Sequence, residues 1–227
     1  PGMGDSAAPG SSTARAAEPL ITQRGEIRTF RLADGSRATL DTDSRLDVAF
    51  GDGDRSVRLV KGRVRLSIAK QAKPLHIDAG TGAAIANDAE IDLSLDEAGT
   101  VSAALRRGEA GLRADARTGP ATALSQGKTL TYRRDGKLQL GMAQASDIPA
   151  NWPEGWAEYR SIRLDRLVAE ANRYAVIPIV IDDAASAALE VSGRFHLSET
   201  DAFAERIAIL FGLRVERTAR AILLRRR

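Results

Sequence analysis

The chain has no cysteine, which excludes disulfides, thiolate metal sites and a cysteine nucleophile. Aromatic residues make up only 4% of it, too few to furnish stacking platforms for single-stranded nucleic acid or for sugars. His76 and His196 are its two histidines, far apart in strand-like segments. They cannot form a metal cluster without distant carboxylates, so no metal and no other cofactor is expected. No Gly-x-Ser-x-Gly elbow and no Gly-rich phosphate loop is present, and neither histidine sits in a triad signature. An enzyme is not expected.

No stretch approaches the roughly 18 apolar residues of a membrane span, and no cleavable signal peptide is visible. Either the protein is cytoplasmic or its targeting segment lies outside this sequence. The net charge is +3, from 33 basic and 30 acidic side chains. The two signs are interspersed along the chain and form no basic stripe for phosphates, so nucleic acid is excluded as a partner.

With 227 residues, 43% of them hydrophobic and 28% charged, the chain is long enough for two units that each bury a core. Pro1 to Thr13 reads as a cloning remnant running into a small polar linker without apolar period, and residues 1–18 are left out of the fold.

From Leu20 to about Leu140, apolar and polar residues alternate in short runs, as in Ile27, Phe30 and Leu32, or Val64, Leu66 and Ile68. Period two predicts half-buried strands. Turn chemistry separates them at Asp34-Gly35-Ser36, Gly51 to Asp54, Lys61-Gly62, Ala79-Gly80, Arg107-Gly108, Gln126-Gly127 and Arg134 to Gly136. Residues 19–146 are therefore expected to form an all-β domain, a sandwich, a barrel or a short β-solenoid.

A connector, 147–158, carries Trp152 and Trp156 around Pro153 and Gly155. Bulky rings there suit an interdomain anchor better than a partner contact. Beyond it Leu164, Leu167, Val168, Ala171 and Tyr174 share one helical face. Ile177, Ile179 and Ile181 then alternate into Asp182-Asp183, a turn or a helix start, and Leu189 and Val191 suggest another strand. Ser198 to Asp201 matches a capping box before a second helix that ends at Gly212. A hairpin around Arg217 to Arg220 closes the chain. Residues 159–227 thus predict a small α/β domain in the order strand, helix, strand, strand, helix, strand, strand.

Taken in order, these segments resemble the FecR-type anti-sigma regulators. The likeness rests on Phe30 to Leu40 with its Asp34-Gly35-Ser36 turn, on Arg55 to Gly62, and on Lys73 to Gly80. It continues in Trp152 to Gly155, in Leu164 through Glu170 to Asn172-Arg173-Tyr174, and in Ser192-Gly193-Arg194-Phe195. The resemblance implies a single-pass inner-membrane protein whose membrane helix and sigma-factor-binding cytoplasmic domain would lie outside this chain. The part present would be periplasmic and monomeric, with an α/β domain of the secretin/TonB short N-terminal type. Its partners would be the signalling domain of an outer-membrane TonB-dependent transducer and, at the linker or connector, periplasmic proteases.

Some family members are cleaved at a Gly-Thr pair where this chain reads Asn87-Asp88, so cleavage is not expected there. Gly80-Thr81 comes too early in the pattern, and Gly99-Thr100 falls in a turn. The candidate partner surface is Arg173, Tyr174, Val191, Arg194 and Phe195, since arginine beside an aromatic near a strand edge is a frequent anchor. Asn172 and Arg173 could equally serve to cap the helix and complement its dipole. Two other readings stay open: a secretin-like envelope assembly module and an envelope ligand-binding protein.

Overall fold

The computed structural model describes residues 18–51, 54–115, 121–133, 138–142 and 148–226. Residues 1–17, and with them nearly all of the predicted linker, lie outside these, as do the Arg134 to Gly136 turn and part of the Gly51 to Asp54 turn.

The alternating first half forms strands β1 (Glu18–Ile21), β2 (Arg28–Arg31), β3 (Arg37–Leu40), β4 (Arg45–Phe50), β5 (Arg55–Ile68), β6 (Leu75–Ala79), β7 (Gly82–Leu95), β8 (Val101–Arg113), β9 (Thr122–Leu124), β10 (Lys128–Tyr132) and β11 (Leu138–Met142). Among the described residues these join in one sheet, which runs β1-β4-β5-β6-β7-β8-β10-β11 with β2-β3 added to β5 and β9 to β8.

Three long strands let the sheet curl over itself. The first half of β5 pairs with β4 and β6, and its second half, from Gly62, with β3 and β7. β7 likewise leaves β6 and joins β5 across an irregularity at Asn87–Glu90. Both changes of partner fall where the backbone enters the left-handed region, at Gly62 (φ 85°) and Asp88 (φ 46°). β8 turns beside them at Gly108 (φ 80°), where a Cβ would lie 2.4 Å from the carbonyl of Asp88. Glycine is required there on both counts.

The result is the all-β unit that the alternation predicts, built on this one sheet. Leu40, Leu46, Leu59, Leu66, Ile77 and Ile91 fill its core. Tyr132 closes the core by donating from its hydroxyl to the Ala79 carbonyl at 2.9 Å. Burial, with a smaller contribution from Asp78, raises the phenol's pKa and keeps it a donor.

A short helical turn at Trp152–Glu154 leads into β12 (Trp156–Arg163), α1 (Leu164–Asn172), β13 (Ile179–Ile181), α2 (Ala184–Ala187), β14 (Glu190–His196), α3 (Thr200–Phe211), β15 (Leu213–Arg217) and β16 (Ile222–Arg226). The predicted order of strands and helices holds, with α2 as an addition. Asp183 starts it, its carboxylate accepting from the Ser186 N–H at 2.8 Å.

β12 and β14 form one antiparallel pair, and β13-β16-β15 a second sheet. Helices α1 and α3 contact each other and strands of both sheets, around a separate core of Leu164, Leu167, Ala171, Phe203, Ile207 and Leu224. The capping box is not observed: Glu199 precedes α3 and its side chain makes no capping bond, while its backbone carbonyl accepts the first helical bond from the Phe203 N–H. Gly212 ends the helix in the left-handed conformation (φ 65°), as the sequence indicates.

Candidate functional site

On β5, Val64, Leu66 and Ile68 face the core, so Arg63 and Arg65 face the other way. An outward arginine on a strand with one buried face would normally be solvated. Arg63 is instead 2% exposed, because the C-terminal unit sits on this face of the sheet.

Two acid-arginine centres hold it there, and they differ in quality. The first joins Asp41, just after β3, and Arg63 to the end of α1. Arg63 lies 3.4 Å from Asp41 and 3.5 Å from Glu170, while Arg173 lies 3.0 Å from Asp41 and 3.5 Å from Glu170. Backbone contacts flank it: the Gly25 N–H donates to Thr42 Oγ1 at 2.7 Å, and that hydroxyl donates to the Arg173 carbonyl at 3.1 Å.

Asp41 is fully buried with the Tyr174 hydroxyl as a hydrogen-bond partner, while Nε and Nη1 of Arg63 have no aligned bond among the described residues. Buried charges recover their desolvation cost only with good geometry and full hydrogen bonding. This latch is the looser of the two, its Arg63 contacts lying at 3.4 and 3.5 Å with two Arg63 nitrogens lacking an aligned bond. Burial alone would raise the Glu170 pKa, but Arg63 and Arg173 outweigh it and hold the carboxyl below its ordinary value. Burial and the neighbouring Asp41 carboxylate push the Tyr174 phenol up.

The second centre is better made. Asp92 on β7, also fully buried, accepts from Arg65 at 2.7 and 2.8 Å and from Arg106 at 2.6 Å. The same arginines donate onward to the connector, Arg65 to the Ala150 carbonyl at 2.7 Å and Arg106 to the Ile148 carbonyl at 2.9 Å. Trp152 is buried beside Ile148 and Ala104, with the Arg65 guanidinium 5.8 Å from its ring centre. The ring pins the connector to the β unit, in the role the sequence suggested for it.

A cleft of about 1140 Å³ opens along the latch, lined by Arg24, Lys61, Arg63, Glu170 and Arg173 among others. Its charges are largely paired internally, as in Lys61 with Asp43 at 2.6 Å.

The five predicted partner residues do not share one surface. Arg173 faces the β unit through Asp41, and Tyr174 is buried at the same junction. Val191 is buried in the C-terminal core. Arg194 is exposed and lies over the Trp156 ring at 4.5 Å, and half-buried Phe195 meets Phe203 edge to face. Asn172 spends its side chain on Ile179, at 2.8 Å to both the N–H and the C=O of that residue.

Arg63 and Asp92 escaped the sequence reading because alternation assigns them to a solvated face, and Asp41 because it lies in a loop just past β3; nothing local announces that another unit covers them. The one available signal was Glu170-x-Asn172-Arg173-Tyr174, a polar cluster ending an otherwise amphipathic helix.

The Asp34-Gly35-Ser36 turn is structural. Asp34 accepts from the Ser36 N–H and hydroxyl, both at 2.9 Å, and from Arg55 at 2.7 Å. Arg55 also reaches Asn87, whose amide exchanges bonds with the Gln71 backbone. Asn87 therefore braces the bend of β7, and Asp88 pairs there with Arg107 at 3.0 Å. Gly80-Thr81 is the β6–β7 turn, with the Thr81 hydroxyl bonded to the Ala114 carbonyl. Gly99-Thr100 lies in the β7–β8 turn, where the Thr100 N–H donates to Asp96.

Residues 18–111 match the family model described as FecR protein. Two solved structures of a candidate anti-sigma factor from Parabacteroides distasonis share the fold over nearly the whole length. One has a TM-score of 0.72 at 15% identity, covering 92% of this chain and 99% of its own; the other has 0.71 at 15%, covering 93% and 99%. No curated protein matches the chain. Identity that low speaks for the fold alone, and the family match, over residues 18–111, makes the β unit similar to the FecR family.

Proposed function

We propose that this chain is the periplasmic, signal-receiving part of a FecR-type anti-sigma regulator, one that binds the N-terminal signalling domain of a TonB-dependent transducer and catalyses nothing. Residues 19–146 form the FecR unit and 159–227 a receiving unit of the secretin/TonB short N-terminal type, joined by 147–158. A sigma factor is reached through a cytoplasmic domain beyond this chain.

One observation carries the reading: the C-terminal unit is held on the FecR unit by a buried ion cluster whose hydrogen bonding is incomplete. Such a contact fixes an orientation at little net gain, so a partner with modest differential affinity can shift it. The Asp92 centre, bidentate and short, keeps the connector attached meanwhile. Partner binding then releases the latch and changes the access of proteases to the connector. Calorimetric titration of the transducer's signalling domain into this chain should give a saturable one-to-one isotherm. No detectable heat and no NMR shift changes at high concentration would sink the proposal.

A further inference from the structure

β13 is the outermost strand on one side of its sheet. The Pro178 carbonyl accepts from the Ile222 N–H at 2.9 Å, and the Asp182 N–H donates to the Leu224 carbonyl at 3.1 Å. Along a strand the backbone groups alternate sides. Pro178, Val180 and Asp182 therefore turn theirs toward β16, and Ile179 and Ile181 turn theirs outward. The run from Val176 to Ile181 is apolar throughout, with Val176 82%, Ile177 40% and Val180 42% exposed. An apolar edge of this kind is a template for another extended chain.

One side chain already sits on that template. Asn172 Oδ1 accepts from the Ile179 N–H and Asn172 Nδ2 donates to the Ile179 carbonyl, each at 2.8 Å. A carboxamide is a peptide group in miniature, with one acceptor and one donor. It takes the bonds that a neighbouring strand would make at Ile179 and reaches no further. Among the hydrogen bonds of the described residues none uses the outward N–H or C=O of Ile181. Only an extended backbone offers donor and acceptor at Ile179 and again two residues on. Asn172 ends α1 and adjoins Arg173, the residue that holds Asp41.

We infer that Asn172 is an internal plug of the β13 edge, and that the partner supplies an extended strand which displaces it. The incoming strand pairs with Ile179 and Ile181, places apolar side chains against Val180 and Ile177, and frees the Asn172 carboxamide. Moving the end of α1 draws Arg173 from Asp41 and opens the latch. This inference rests on the proposed function in taking the partner to be the transducer's signalling domain.

Two measurements on the whole chain test it, with that signalling domain as the probe. In the free protein the Ile181 amide exchanges fast, and in the complex it is protected together with Ile179. Asn172→Ala removes the competitor and tightens binding about fivefold to tenfold, the worth of roughly one net hydrogen bond. Wild-type binding with Ile181 exchange unchanged, or an Asn172→Ala variant that folds yet binds equally or more weakly, overturns the plug and leaves the proposed function standing. If neither chain binds, both ideas fall. Should Asn172→Ala not fold, the Ile181 amide in the wild type decides alone.

Discussion

Replacing Arg63 by alanine tests the latch most sharply. The substitution removes the guanidinium set between Asp41 and Glu170 and leaves Asp41 with no exposure to water. Stranding one partner of a buried ion pair costs about 3–5 kcal/mol. Arg173, 3.0 Å from Asp41, remains to offset part of this, so about 3 kcal/mol is expected, a fall in Tm of roughly 6–12 °C for a chain of this size.

Lys61→Ala is the control. Lys61 is closer to its acid, 2.6 Å from Asp43, but both side chains are exposed, and such pairs contribute about 0–1 kcal/mol. Replacing Asp41 and Arg63 together by leucine removes both charges, and by the same physics comes within about 1 kcal/mol of wild type or above it. Urea unfolding followed by Trp152 and Trp156 fluorescence reads all three variants. If Arg63→Ala costs no more than Lys61→Ala, the buried cluster is not what holds the units together, and the argument fails.

Other expectations follow from the same contacts. Because Arg63 and Arg173 hold the Glu170 pKa below its ordinary 4.5, its contribution is present above pH 4.5 and is lost as pH falls through the lowered folded value. Thermal melts should therefore show Glu170→Gln costing most near neutrality, with the gap from wild type closing in acid. Asp92→Asn strips the shared acceptor charge from Arg65 and Arg106. It should cost about 3 kcal/mol and speed cleavage in the Ile148–Trp152 connector under limited proteolysis. A Gly108→Ala chain meets both a left-handed φ of 80° and the Asp88 carbonyl at 2.4 Å, so a loss of at least 1–2 kcal/mol is expected in chemical denaturation; a neutral result would mean that the β7–β8 bend is not as tight as described.

The strands and long helices were legible because their signals are local. Val64, Leu66 and Ile68 alternate whatever packs beyond them, and Leu164, Leu167, Val168 and Ala171 mark a helical stripe by spacing alone. The turn at Asp34-Gly35-Ser36 and the end of α3 at Gly212 were legible for the same reason. What period two cannot report is a second unit laid on the polar face. Arg63 and Asp92 look like solvated strand residues until the C-terminal unit covers them, and Asp41 lies in a loop that reads as ordinary turn chemistry. Asn172 was read as a possible cap because it ends a helix. Its actual partner, Ile179, lies on the following strand, reached by a loop whose path the sequence does not dictate. The strand pairing of the β unit was unreadable on similar grounds, since β5 and β7 change partners at positions set by long-range contacts.

Signal reception by this chain depends on where the partner binds. Hydrogen exchange of the whole chain, alone and with the transducer's signalling domain, tests this most directly. Slowed exchange is predicted in β13 and its flanks within residues 148–226, with faster exchange around Asp41 and the end of α1 as the latch opens. Slowed exchange confined to strands β2 to β11, or none anywhere at saturating partner, would contradict it.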